Sequence, residues 1–166
     1  MKKLGVLVLW IALLFTSCKK EEGCNYKDAD VTATAAEIGT IQAYLTTNSI
    51  TAVQLPSGVF YTLNIPGSGT TPQLCSRIRV NYDAYRLGTG TTFDSNQTAD
   101  GIDFVLGLLI IGVQKAIPFV KPGGSITIYI PPSLGYGSEA IKDNNGIVIL
   151  PANSFIKFDM ALLSVQ

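Results

Sequence analysis

The sequence predicts an α+β fold: a curved antiparallel β-sheet wrapped around one short α-helix, with an N-terminal helical extension. Three observations carry this. Apolar and polar residues alternate in five separate runs, one helical interval interrupts that series, and a capped segment of helical period precedes it. At 166 residues the chain suffices for one well-buried domain and a tail, not for two independent cores.

In chain order, Thr34 and Glu37 can satisfy each other's free backbone N–H groups as a capping box, and Ile38, Ile41 and Leu45 follow at helical spacing. A helix from about 35 to 47 is expected, leaning on the domain because isolated helices this short are marginal. From Val59 the period becomes two, with Val59, Tyr61, Leu63 and Ile65 on one face, and Pro66-Gly67-Ser68-Gly69 ends the run as a turn. The next strand sets Ile78, Val80, Tyr82 and Ala84 against Arg77, Arg79, Asn81 and Asp83, so Tyr82 faces inward. Ile102, Phe104 and Leu106 mark a third strand, and Ile126, Ile128 and Ile130 a fourth. A fifth sets Ile156, Phe158, Met160 and Leu162 against Lys157, Asp159 and Ala161, which turns Phe158 inward as well. The helical interval is Val113 to about Val120, limited by Pro118, and a long glycine-bearing loop is expected from about 132 to 150.

The first residues read differently. Lys2 and Lys3 precede an apolar run, Leu4 to Phe15, that falls short of the roughly 20 residues needed to span a bilayer. This is a signal peptide, residues 1–17. Its end, Leu14-Phe15-Thr16-Ser17-Cys18, resembles the bacterial lipobox, in which the cysteine becomes the lipidated first residue. The competing reading is a plain secretory signal with Cys18 an ordinary thiol. Residues 18–33 are charged and small and read as a tether, 34–57 as the helical extension and 58–166 as the main domain. These features place the protein in the cell envelope, held to a membrane by its lipid. With Cys18 lipidated, Cys24 and Cys75 remain as a pair in an oxidising compartment; they are either a disulfide stapling the tail to the domain or two separate thiols.

Composition excludes several classes of function. Twelve Lys and Arg balance twelve Asp and Glu, and removal of Lys2 and Lys3 with the signal leaves ten against twelve, a formal charge of −2. That balance gives no pull toward nucleic acid. Histidine is absent, which removes the commonest general base, the Ser-His and Cys-His pairs and the commonest metal ligand. No cofactor or metal site is expected. What remains is an apolar set, Tyr82, Phe93, Leu109, Ile110, Val113, Tyr136 and Phe158, with one carboxylate, Asp94, directly after Phe93. Such a pocket suits binding a strained neutral amide better than acid–base hydrolysis.

Seven ordered segments carry a resemblance: Val80-Asn81-Tyr82, Thr92-Phe93-Asp94-Ser95, Phe104-Val105-Leu106-Gly107, Leu109-Ile110, Lys121-Pro122-Gly123, Pro131 to Gly137, and Leu150 to Phe158. From Leu74 onward the chain resembles the FKBP-type peptidyl-prolyl cis-trans isomerases. The resemblance implies that Tyr82, Phe93, Leu109, Ile110, Val113 and Phe158 line a prolyl pocket. It implies further that the Ile110 N–H and the Tyr136 hydroxyl hold substrate carbonyls, with Asp94 at the edge near Tyr82. Partners would be proline-containing polypeptides and macrolide inhibitors of this family. Val113 stands where the family usually has Trp, Ile102 where it often has a second pocket aromatic, and Thr98-Ala99 where it commonly has Arg. Those departures imply a wider, less aromatic pocket, and they leave a second reading, a non-catalytic binding or chaperone module on the same fold.

Overall fold

The computed structural model describes residues 24–166; residues 1–17, read above as a signal peptide, and Cys18 lie outside the described residues. Helix α1 spans Ala35–Thr47, and the capping box at its start is complete, with Thr34 and Glu37 each accepting from the other's backbone N–H. Strands β1 (Val53–Gln54), β2 (Phe60–Ile65), β3 (Arg77–Arg86), β4 (Thr92–Asn96) and β5 (Ile102–Val105) follow. Then come helix α2 (Ile111–Ala116), β6 (Gly124–Ile130), a short ribbon of β7 (Ile141–Lys142) and β8 (Val148–Leu150), and β9 (Ile156–Val165). The main sheet has seven strands in the order β1-β2-β6-β9-β3-β4, with β5 also on β3, and every pairing is antiparallel.

One face of this sheet closes on α2. Tyr61, Ile128, Phe158 and Ala84 sit side by side in register across β2, β6, β9 and β3, and all four are buried in the main core with Val113 and Ile117. The opposite face carries a second cluster, in which Ile41 and Leu45 of α1 cover Phe60 and Tyr129. This explains a departure from the expected alternation. Phe60 and Tyr61 are both buried, because each face of β2 has its own cover, whereas Leu63 and Ile65 are exposed.

Three further expectations are adjusted. The interval from Val113 to Val120 is not one helix: α2 begins at Ile111 and passes into a 3₁₀ turn over Ile117–Phe119, where Pro118 cannot supply an α-helical N–H. The loop expected over 132–150 contains a 3₁₀ turn, Pro132–Leu134, and the β7–β8 ribbon, whose three- and two-residue strands are too short to show a period. The segment read as tether is docked from Cys24 onward. Cys24 is disulfide-bonded to Cys75, Asp28 pairs with Lys115 at 2.6 Å, and Ala33 is buried while its N–H donates to the Ser57 carbonyl.

Candidate active site

The cleft is assembled at one end of the core, and its first wall is sheet. Register places Tyr82 opposite Met160 and Ala84 opposite Phe158 on β3 and β9, while Ile78 opposes Phe104 of β5. Tyr82, Phe104, Phe158 and Met160 thus come from three adjacent strands and line one side of an opening of about 270 Å³. Their rings pack obliquely, Tyr82 at 6.0 Å from Phe158 and 6.3 Å from Phe104 between centroids, separations at which tilted aromatic pairs are favourable.

The second wall is loop. After β5 a 3₁₀ turn over Leu106–Leu108 leads through Leu109 and Ile110 into α2, whose Val113 forms the floor. The Gln114 side chain turns back and donates to the carbonyls of Gly107, at 3.2 Å, and Leu109, at 2.6 Å, so this loop is clamped from the helix it precedes. Only glycine fits at 107, since a Cβ there would strike the Tyr26 ring. The remaining edge is Tyr136, two residues past the end of the Pro132–Leu134 turn.

Electrostatics keep both tyrosines neutral. The Tyr82 hydroxyl donates to Asp94 Oδ2 at 2.8 Å, and burial followed by that carboxylate pushes its pKa well above the ordinary tyrosine range. Burial, then the Asp94 charge, pushes Tyr136 up as well. Two donors on residues that line the cleft are uncommitted: the Ile110 N–H, at the N-cap of α2, and the Tyr136 hydroxyl have no hydrogen-bond partner among the described residues.

Seven of the eight residues singled out from sequence therefore line one cleft: Tyr82, Asp94, Leu109, Ile110, Val113, Tyr136 and Phe158. Phe93 does not form its surface; it stands behind, edge-on to Tyr136 at 6.1 Å and to Phe158 at 6.2 Å, and so buttresses both rings. Phe104, Leu108 and Met160 were not singled out. Phe104 and Met160 were legible, since both share the inward face of strands already recognised. Phe104, two residues beyond Ile102 on β5, contributes a ring to the cleft, whereas Ile102 does not line it. Leu108, 70% exposed on the rim, carries no sequence signal of its role.

A sheet wrapped on a short helix, with a mostly apolar cleft that holds two uncommitted donors and one carboxylate engaged by the Tyr82 hydroxyl, defines a class of domain that holds its ligand by burial and a few hydrogen bonds. Residues 68–163 match the family described as FKBP-type peptidyl-prolyl cis-trans isomerase. The chain belongs to that family. It is 36% identical over 112 residues to the FKBP-type isomerase FkpA of Buchnera aphidicola, covering 66% of this chain and 42% of that protein. It is 34% identical over 113 residues to the isomerase Mip of Coxiella burnetii, covering 68% and 46%. The crystal structure of FkpA from Escherichia coli superposes with a TM-score of 0.65 at 27% identity, over 80% of this chain and 60% of that one. The chain thus spans less than half the length of these two curated relatives.

Proposed function

We propose that the chain is a peptidyl-prolyl cis-trans isomerase that acts on proline-containing segments of envelope or secreted proteins. The observation that carries this is the pairing of two unsatisfied donors, Ile110 N–H and Tyr136 O–H, with an apolar floor and strand wall of Val113, Tyr82, Phe104, Phe158 and Met160. Rotation about an X–Pro bond is opposed by about 18–20 kcal/mol because amide resonance must be broken. The twisted amide has lost resonance and part of its carbonyl dipole, so it is better accommodated in a dry apolar cleft than the planar form. In this reading the proline ring rests on Val113 between Tyr82 and Phe158, and the two donors hold the flanking carbonyls. No proton has to move, so the chain's lack of histidine is no obstacle. Asp94 engages the Tyr82 hydroxyl, which leaves the wall beside the ring without a competing free donor.

Each 1.36 kcal/mol removed from the barrier is tenfold in rate, so about 6 kcal/mol of preferential binding to the twisted form gives roughly 10⁴-fold acceleration. The test is cis–trans exchange of a Xaa-Pro peptide measured with the full chain in detergent micelles. Acceleration that is lost in Tyr82→Ala supports the reading; a rate equal to that of peptide alone refutes it. A macrolide of the kind this family binds is expected to compete for the same cleft and abolish the acceleration.

We further propose that Cys18 is lipidated and holds the protein to a membrane of the cell envelope. The Cys24–Cys75 bridge supports this, because such bonds persist in oxidising compartments. Cys18→Ala is expected to shift the protein from the membrane to the soluble fraction; an unchanged distribution contradicts it.

A further inference from the structure

Tyr136 sits on a turn that cannot place itself. The hydrogen bonds inside the turn are local, Leu134 N–H to Pro131 at 3.1 Å, Gly135 and Gly137 N–H to Pro132 at 3.0 and 2.9 Å, and they fix its shape; from outside, the Asn153 N–H donates to the Gly137 carbonyl at 2.7 Å and Phe93 meets the Tyr136 ring edge-on, so the downstream end is held while the Ser133 end is left to another partner. Leu134 plugs into the core and sets its depth. At Ser133 the partner among the described residues is Glu37: its Oε1 accepts the Ser133 backbone N–H at 2.9 Å and its Oε2 accepts the Ser133 hydroxyl at 3.1 Å.

We propose that Glu37, on the N-terminal helix, is a positioning residue for the cleft: its two-point grip on Ser133 orients the Pro132–Leu134 turn and thereby the Tyr136 hydroxyl. The catalytic half of this rests on the isomerase reading; the mechanical half does not.

Glu37 is suited to the task because it is itself held. Its Oε2 also accepts the Thr34 N–H and hydroxyl, both at 2.9 Å, and Ile38 beside it packs on the main core. The α1 entry is fixed in turn by Gly58, which has φ +90° and where a Cβ would lie 2.8 Å from Ala33 and 3.0 Å from Ile38. A carboxylate accepting backbone N–H groups makes bonds roughly twice as strong as neutral ones. The capping box needs only one carboxylate oxygen; the second is spent wholly on the turn. The N-terminal extension and the candidate site, 96 residues apart along the chain at this contact, are thus joined through one side chain.

The experiment combines amide hydrogen exchange with peptide isomerisation kinetics on the full chain, comparing wild type, Glu37→Ala, Glu37→Gln, Thr34→Ala, and Glu37→Ala with and without Tyr136→Phe. Glu37→Ala is expected to speed exchange at Gly135 and Gly137 about tenfold and to lower kcat/KM about fivefold, with Glu37→Gln between it and wild type because one acceptor oxygen survives. Thr34→Ala, which removes the hydroxyl bond to Glu37 but keeps the Thr34 N–H bond and both Ser133 bonds, is expected to change both by less than about twofold. In the Tyr136→Phe background the kinetic effect of Glu37→Ala is expected to vanish, since the hydroxyl it positions is gone. Exchange at the turn unchanged in Glu37→Ala, equal loosening by Thr34→Ala, or an undiminished kinetic loss without the hydroxyl each overturns the proposal. Wild type without any acceleration, but with the expected exchange pattern, refutes the isomerase reading and leaves the mechanical link standing.

Discussion

The two walls of the cleft are built on different principles. On the strand wall, Tyr82, Phe104, Phe158 and Met160 are placed by backbone register, and each also belongs to or packs against the main core. On the loop wall, Leu108 to Ile110 and Tyr136 are placed by side chains that reach back to backbone: Gln114 to Gly107 and Leu109, and Glu37 to Ser133. The difference teaches where the molecule can be altered. A change in the strand wall is a change in the core, whereas on the loop wall Leu109, Ile110 and Tyr136 pack only against its edge and Leu108 is exposed, so that wall can be altered with less loss of buried apolar surface.

Phe158→Ala is the largest expected effect. Phe158 is 7% exposed and contacts Tyr82 and Phe93, so the cavity left should cost about 3–5 kcal/mol of stability, seen as a lower urea midpoint, together with loss of isomerisation. Leu108→Ala on the opposite wall should change stability by no more than about 0.5 kcal/mol and register only in peptide affinity. Equal destabilisation by the two would erase the contrast.

Reduction of Cys24–Cys75 comes next. The bridge closes a sequence separation of 51 residues, and its loss should cost about 4 kcal/mol by release of chain entropy. It also frees the segment that presses the Tyr26 ring on Gly107, so the reduced protein should show faster amide exchange around residues 106–110 than in β3 or β9. Uniform loosening of both walls would mean that the staple does not act locally.

Gln114→Ala removes both bonds to the 107–110 loop and should cost about 1–2 kcal/mol in stability while lowering kcat/KM more than Leu108→Ala does. An activity equal to wild type would show that the loop holds itself.

The smallest effect is the pH response of Glu37. Burial alone raises its carboxyl, but hydrogen bonds from Thr34 and Ser133 outweigh that and hold it below the ordinary value of 4.5. A depressed folded pKa means that its contribution to stability is fully present above about 4.5 and is lost as pH falls through the lower folded value. Acid unfolding of Glu37→Gln should therefore be shallower in that window than that of wild type. Tyr82 and Tyr136, both raised, should leave isomerisation flat between about pH 6 and 9. A bell-shaped profile there would point to acid–base chemistry instead.

The same contrast explains what could be read from sequence. Strand-wall residues announce themselves by period two: Tyr82 lies between Val80 and Ala84, Phe158 between Ile156 and Met160, and each inward assignment agrees with the sheet. Helix α1 was legible to its ends, because Thr34 and Glu37 form a local capping box. By contrast β1 is two residues long, β4 (Thr92–Asn96) is mostly polar and exposed, and neither shows an alternation to find. The grips of Gln114 and Glu37 join positions whose spacing has no period, and the dual burial of Phe60 and Tyr61 depends on a helix landing on the far face of the sheet. Local rules reach the backbone of the cleft but not the side chains that hold its open edge.

The most direct measurement is NMR on the full chain titrated with a Xaa-Pro peptide, following the Ile110 amide and the peptide's cis and trans proline signals together. A downfield shift at Ile110 as its N–H acquires a carbonyl, with exchange cross-peaks between the two proline isomers growing in proportion, is the predicted result. Peptide binding that leaves Ile110 unmoved, or that moves it with no gain in isomer exchange, would contradict the account.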